Sequence, residues 1–309
     1  MASKITLDVL DAQTRCPLKA YFLLNEEMGI KSDFENFALE TREELEPKAV
    51  AKLRHQYADS ELETDVNLSL LVLRKQIPFI LNGQIEDGCY SVRIDGIKLA
   101  NGASLLGGYH YEPVLFAEAR RARKEDRHRL AVCAVLLSRL QGITPTNGTL
   151  YLGLDCVMTR VRFGAHVRAA EDALRGAERL QRADGAPKLV LNDHCRLCEF
   201  RDRCHAQAVR EDNLSLLRGL GEKSIKRYRR KGLLTLTQLA HTFRPRRRGK
   251  RADRPIKVRD HALHALAIRD KTIYVLGKPE LPVGAVCIYV DVEGHPGAGF
   301  RLSDRHAHL

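Results

Sequence analysis

The sequence predicts a mixed α/β domain, with helices on either side of a meander of strands, followed by a small helical element. Two patterns carry that expectation. Between residues 77 and 116 short apolar runs alternate with turn dipeptides: Ile77–Leu81, Asn82-Gly83, Ile85 and Cys89–Ile97, Asn101-Gly102, then Tyr109–Phe116. Such alternation reads as an antiparallel meander. From Lys124 to Gln141, Leu130, Ala131, Ala134, Leu137 and Leu140 recur at helical spacing, which predicts one long helix behind the strands.

The remaining elements follow in order. The first 60 residues read as mostly helical, with Leu7, Leu10, Tyr21, Phe22 and Leu23 apolar and an acidic stretch at Glu40–Glu46. Val66–Leu73 is strongly apolar. After the long helix, Gly148 precedes a strand over Thr149–Met158, and His166–Ala183 is a further helix. These elements form the first expected domain, residues 1–210. Residues 211–245 form the second: Gly219-Leu220-Gly221 leads into a basic helix over Glu222–Lys231, Gly232 stops it, and Thr235 with Gln238 makes a capping box for the next. Two helices around a glycine turn look like a helix-hairpin-helix element, in which backbone N–H groups and a helix N-terminus hold a phosphate. Residues 246–309 form a basic linker and an apolar strand, Val286–Gly294, that carries Asp291 and Glu293 on one face.

Charge is unevenly placed. The net charge is +12; residues 1–195 are nearly neutral, so the whole excess lies beyond them. Fifteen Lys and Arg against one acid, Asp253, lie between Lys223 and Arg259. Such density favours a polyanion partner, with Gly219, Gly221, Lys223, Lys226, Arg227, Arg246, Arg247, Arg248, Lys250 and Arg251 as the phosphate-contacting set. No apolar run approaches the length of a membrane span, and no apolar leader opens the chain, so a cytoplasmic protein without a membrane partner is expected.

Cys195, Cys198 and Cys204 lie within ten residues among polar and charged neighbours, which suits a metal better than a core. A closed thiolate site wants four ligands. Cys16 can supply the fourth; so can His194 or His205, in a zinc site that omits Cys16. Cys89, Cys133, Cys156 and Cys287 sit in apolar or strand-like surroundings and read as small buried hydrophobes.

Taken together, Cys16-Pro-Leu-Lys-Ala-Tyr-Phe22, Arg93-Ile-Asp95-Gly96, Tyr109-His-Tyr-Glu112-Pro-Val-Leu-Phe116, the cysteine triplet and the Tyr289-Val-Asp-Val-Glu-Gly294 strand resemble a RecB-like nuclease of the PD-(D/E)XK superfamily. The order is similar to members with an iron–sulfur cluster, a helix-hairpin-helix region and a ribonuclease-H-like exonuclease domain. The resemblance implies a restriction-endonuclease-like mixed sheet flanked by helices. It also implies a 4Fe–4S cluster on Cys16, Cys195, Cys198 and Cys204, and Mg2+ or Mn2+ on Asp95 and Glu112. Position 114, where the superfamily has lysine, is Val, and Lys124 is the lysine expected to act from a shifted place. Arg129 and Cys133 stand near the family's helix motif, and His55 is a further metal-side candidate. Sixteen residues follow Glu293, so a truncated ribonuclease-H-like region is expected. The implied activity is Mg2+-dependent hydrolysis of DNA, or of RNA. Two alternatives stand beside it: a catalytically degenerate nucleic-acid-binding protein of the same fold, and a zinc-stabilised interaction module.

Overall fold

Thr6 opens the first helix by accepting the Val9 N–H on its hydroxyl. The computed structural model describes residues 3–244 and 260–275. Helix α1 (Leu7–Arg15) runs to Cys16, which separates it from α2 (Pro17–Leu24) and places Pro at that helix's first turn, where its missing N–H costs nothing. A Ser32–Glu35 capping box starts α3 (Asp33–Gln56). Strand β1 (Leu62–Thr64) and the single-turn α4 (Leu70–Leu73) lead to the meander: β2 (Phe79–Asp87), β3 (Tyr90–Ser104) and β4 (Gly107–Ala117). Helix α5 (Lys124–Gln141) has the bounds its periodicity predicts. Strands β5 (Asn147–Leu152) and β6 (Val157–Arg162) and helix α6 (His166–Gln181) complete the first part.

The six strands form one mixed sheet in sequence order. The meander β2–β3–β4 is antiparallel, as expected; β1 joins β2 in parallel, β5 joins β4 in parallel, and β6 closes antiparallel on β5. A parallel neighbour needs a crossover, and α5 supplies it between β4 and β5. Helices lie on both faces. On one, α1, α2, α5 and α6 cover Ile80, Val92, Ile97, Tyr111, Leu115 and Leu150. On the other, Leu45, Ala49 and Leu53 of α3 pack on Phe79, Leu81, Val114, Phe116 and Tyr151. This is the α/β architecture the sequence predicts.

Three local expectations are corrected. Asn82-Gly83 and Asn101-Gly102 are not turns; they lie inside β2 and β3, and the hairpins close at Gly88-Cys89 and Leu105-Leu106. Asn82 takes a left-handed φ of 52° where the β2–β3 pairing skips a residue, and a Cβ on Gly83 would lie 2.8 Å from Leu68. The glycine is there for close packing rather than reversal. The single strand over 149–158 is two strands, broken at Gly153–Cys156.

The chain divides into two units, one ending at Pro187 and one beginning at Lys188. The cysteine segment lies in the second unit. The physical reason is continuity: α7 (Arg201–Arg210) starts within that segment, and Asn213 just beyond it donates its side-chain amide to the Leu189 carbonyl. The second unit continues with α8 (Glu222–Arg230), α9 (Leu236–Ala240), capped by Thr235 and Gln238 as predicted, and α10 (His261–Asp270), which no sequence pattern announced. Its core is Leu214, Leu217, Leu220, Ile225, Leu236, Leu239 and Ala265. Arg246, Arg247, Arg248, Lys250 and Arg251, with Asp291 and Glu293, lie outside the described residues.

His128 gives a stability prediction. It lies on α5, its Nε2 is buried without a hydrogen-bond partner among the described residues, and burial pushes its pKa below the usual 6.5. The folded state then binds this proton less readily than the unfolded chain. The neutral ring's contribution is present above pH 6.5 and is lost as pH falls through the lowered folded value. His128→Leu is expected to flatten the fall in melting temperature between neutral and mildly acidic pH; an unchanged slope would assign that fall to other groups.

Candidate active site

The sheet forks at Asp95. The β3–β4 ladder ends at Gly96 and Val114, while Val114–Ala117 continues alongside β5. The Phe116 N–H therefore has no strand partner on the β3 side, and Asp95 Oδ2 accepts it at 2.6 Å. Asp95 Oδ1 is paired with the Arg42 guanidinium from α3, which also donates to the Phe116 carbonyl. Arg42 Nη1 is 3.9 Å from Glu118, one residue past the end of β4. Arg123 reaches Glu118 from the other side at 3.6 Å and holds Asp126 at 3.1 Å, within the capping box that starts α5. Asp95 and Glu118 thus flank one guanidinium, at the mouth where α3, β3, β4 and the start of α5 meet.

Arg129 lies behind this group. Its Nε donates to Asp11 Oδ2 at 2.7 Å, and its Nη2 forms an ion pair with the same oxygen at 2.7 Å and stands 3.6 Å from Asp8. Burial disfavours the Arg129 charge, but Asp11, Asp8, Glu118 and Asp95 outweigh it and raise the pKa. Guanidinium stays protonated in proteins in any case, so a fixed cation lies within the field of both site carboxylates. Burial also raises the Cys133 thiol, on the same helix, and the Asp95 charge adds to the effect. Cys133 is an inert core residue rather than a nucleophile.

The other predicted site residues are placed elsewhere. Glu112 lies opposite Lys98 across the β3–β4 ladder. That is three residues along β3 from Asp95, roughly 10 Å of strand. Its carboxylate is buried and accepts from Arg160 of β6 at 3.1 Å. The structure gives Asp95 and Glu112 separate arginine partners and does not bring them together. Val114, in the superfamily's lysine position, is buried in the core under α3. Lys124 is exposed at the first position of α5, and no ion pair joins it to Asp95 or Glu112 among the described residues. His55 lies in the last turn of α3. Arg42 and Glu118 were not expected from the sequence. For Glu118 a signal was present: Glu118-Ala-Arg120 has the acid, spacer, base order that Glu112-Pro-Val114 lacks.

In the second unit, Cys195 lies on a 3-10 turn (Asp193–Leu197), Cys198 ends that turn, and Cys204 lies in α7. Cys198 and Cys204 are buried, and the Asn192 N–H donates to Cys195 Sγ at 3.3 Å, as amides do around thiolates. Among the described residues no group of three or more His, Cys, Asp or Glu is gathered closely enough to hold a metal ion. Gly219, with φ 78°, and Gly221 precede α8, and a Cβ on either would meet nothing within 4 Å. Lys223, Lys226 and Arg227 are exposed on that helix, while Ile225 faces the core.

No protein-family model matches the chain, and no curated protein matches it. No helix among the described residues is long and apolar enough to cross a membrane.

Proposed function

We propose that this chain is a divalent-metal-dependent nuclease of the RecB-like kind, acting on DNA. The observation that carries the reading is the pair Asp95 and Glu118 around a single cationic group at the fork of the sheet. Two carboxylates, one on β3 and one just past the end of β4, suit Mg2+ or Mn2+, which take carboxylate oxygens and keep several waters. A guanidinium between them shows that the donor set accommodates positive charge. Asp95 and Glu118 would hold the ion, which when bound supplies charge for the scissile phosphate and acidifies a water. Phe116 N–H fixes the orientation of the Asp95 carboxylate. Arg123 does the same for Glu118. Arg120, exposed two residues past Glu118, is the proposed contact for a substrate phosphate. Glu112, buried and paired with Arg160, is assigned to a structural ion pair beside the centre rather than to the ion.

The test is cleavage of single- and double-stranded DNA by purified protein in Mg2+ or Mn2+. Cleavage that needs the ion and fails in Glu118→Gln supports the reading. No cleavage under any of these conditions, with DNA binding retained, would leave a binding protein of the same fold.

The cluster proposal rests on cysteine spacing and on the family resemblance: Cys16, Cys195, Cys198 and Cys204 as ligands of a 4Fe–4S centre. Protein purified without oxygen is expected to be brown and to carry iron, with Cys198→Ala losing both. Colourless protein with stoichiometric zinc would overturn it in favour of a Cys3His site using His194 or His205.

DNA contact is assigned to Gly219, Gly221 and the exposed face of α8. Replacing Lys223, Lys226 and Arg227 by Gln should shallow the salt dependence of binding to duplex DNA, by about 0.9 in log–log slope for each phosphate that is no longer neutralised. An unchanged slope would place the phosphate-binding groups elsewhere.

A further inference from the structure

Arg42 holds both carboxylates of the candidate centre, and its geometry says what happens when a metal arrives. Its guanidinium donates to Asp95 and to the Phe116 carbonyl, stands 3.9 Å from Glu118, and lies over the Phe116 ring at 5.9 Å from the ring centre. The arginine is anchored from behind, because α3 is fixed by its capping box and by Leu45, Ala49 and Leu53 buried against the sheet. The helix cannot retreat, so only the side chain can move, and about a quarter of it is already exposed.

We infer that Arg42 is a built-in counter-ion of this centre, which joins Asp95 to Glu118 in the metal-free protein and is displaced from them when a divalent ion binds. The inference rests on the proposed metal role of Asp95 and Glu118. Mg2+ sits at about 2.0–2.1 Å from carboxylate oxygens, so it needs the Asp95 oxygen that Arg42 occupies. Arginine has no neutral form to adopt near pH 7, so an ion on that oxygen meets a fixed like charge within contact distance, and the cation on the flexible stem gives way. Without either cation, Asp95 would lose its ion-pair partner and face Glu118, whose remaining pair is with Arg123. Arg42 therefore stabilises the metal-free state and weakens metal affinity by the same competition.

The test uses the full-length protein with Mn2+ alone as the probe, its binding read from the loss of the free-ion resonance signal, with Asp95→Asn as the control for ions held elsewhere. Arg42→Met is expected to bind Mn2+ at least about tenfold more tightly than wild type, the factor that corresponds to about 1.4 kcal/mol. Without metal it should melt at a lower temperature, and Mn2+ should raise its melting temperature more than that of wild type. Where Arg42→Met fails to fold, Arg42→Gln keeps a donor for the Phe116 carbonyl without the charge and carries the same expectation. Equal or weaker Mn2+ binding by the Arg42 variant, with the Asp95 control showing that wild type binds at this centre, overturns the inference and leaves the metal reading standing. Absence of Asp95-dependent binding in both proteins overturns the metal reading and the inference together.

Discussion

Asp95→Asn is expected to lower metal-dependent cleavage by about two to three orders of magnitude, since loss of a metal-holding carboxylate removes several kcal/mol of charge stabilisation. Asparagine keeps an oxygen for the Phe116 N–H, so the fork of the sheet stays closed and the loss falls on chemistry. DNA binding should be retained, because phosphate binding is assigned to α8. The comparison with Glu118→Gln and Glu112→Gln decides between the two possible partners of Asp95. Glu118 shares Arg42 with Asp95, whereas Glu112 is held by Arg160. Glu118→Gln should therefore match Asp95→Asn, and Glu112→Gln should leave most activity in place. A rate collapse in Glu112→Gln together with an active Glu118→Gln would return the second acid to position 112. Lys124→Ala, at an exposed helix start, is expected to change the rate little.

The largest stability effect is expected at Asp11. Its carboxylate accepts from Nε of the half-buried Arg129 at 2.7 Å, with Nη2 of the same guanidinium at 2.7 Å as an ion pair. Removing one partner of such a pair leaves the other charge unpaired, typically at a cost of about 3–5 kcal/mol. Asp8 stands by at 3.6 Å, and both side chains of the pair keep some exposure, so Asp11→Ala should fall near the lower end of that range. That corresponds to a fall in melting temperature of roughly 6–12 °C for a cooperative unit of about 150–250 residues, such as the one ending at Pro187. Replacing both partners with apolar residues, Asp11→Leu with Arg129→Met, should cost less than Asp11→Ala alone, because no charge is then left buried. A double variant worse than the single would mean that Arg129 has a second role, and its position in the field of Asp95 and Glu118 says where to look.

Several elements were written locally. Helix α5 matches its apolar spacing from Lys124 to Gln141, and the Thr235–Gln238 capping box starts α9 as its sequence says. The meander was legible as alternating apolar runs. The two Asn-Gly dipeptides misled because an asparagine and a glycine serve a bulge or a close approach as well as a turn. Asn82 and Gly83 are used in that second way, against Leu68. Asp95 and Glu112 were assigned through the resemblance to PD-(D/E)XK nucleases, which have an acid on one strand and a second acid on the next. Glu112 in the Tyr109–Phe116 strand matched that position, where Glu118 lies just past it.

By itself, then, the sequence determined the meander, helix α5 and the capped start of α9, the location of the basic excess and the cysteine segment, because each depends on residues a few positions apart. The tertiary structure alone decided which acid stands beside Asp95. Periodicity tells which face of a strand a side chain occupies, but not where two strands part company. Here they part at Gly96 and Val114, which frees the Phe116 N–H for Asp95 and carries Glu118 to the same mouth. Nor does any local pattern show that Arg42, 53 residues earlier in the chain, reaches Asp95. That pairing exists because α3 packs Leu45, Ala49 and Leu53 onto the sheet and so brings the arginine one turn away over the fork.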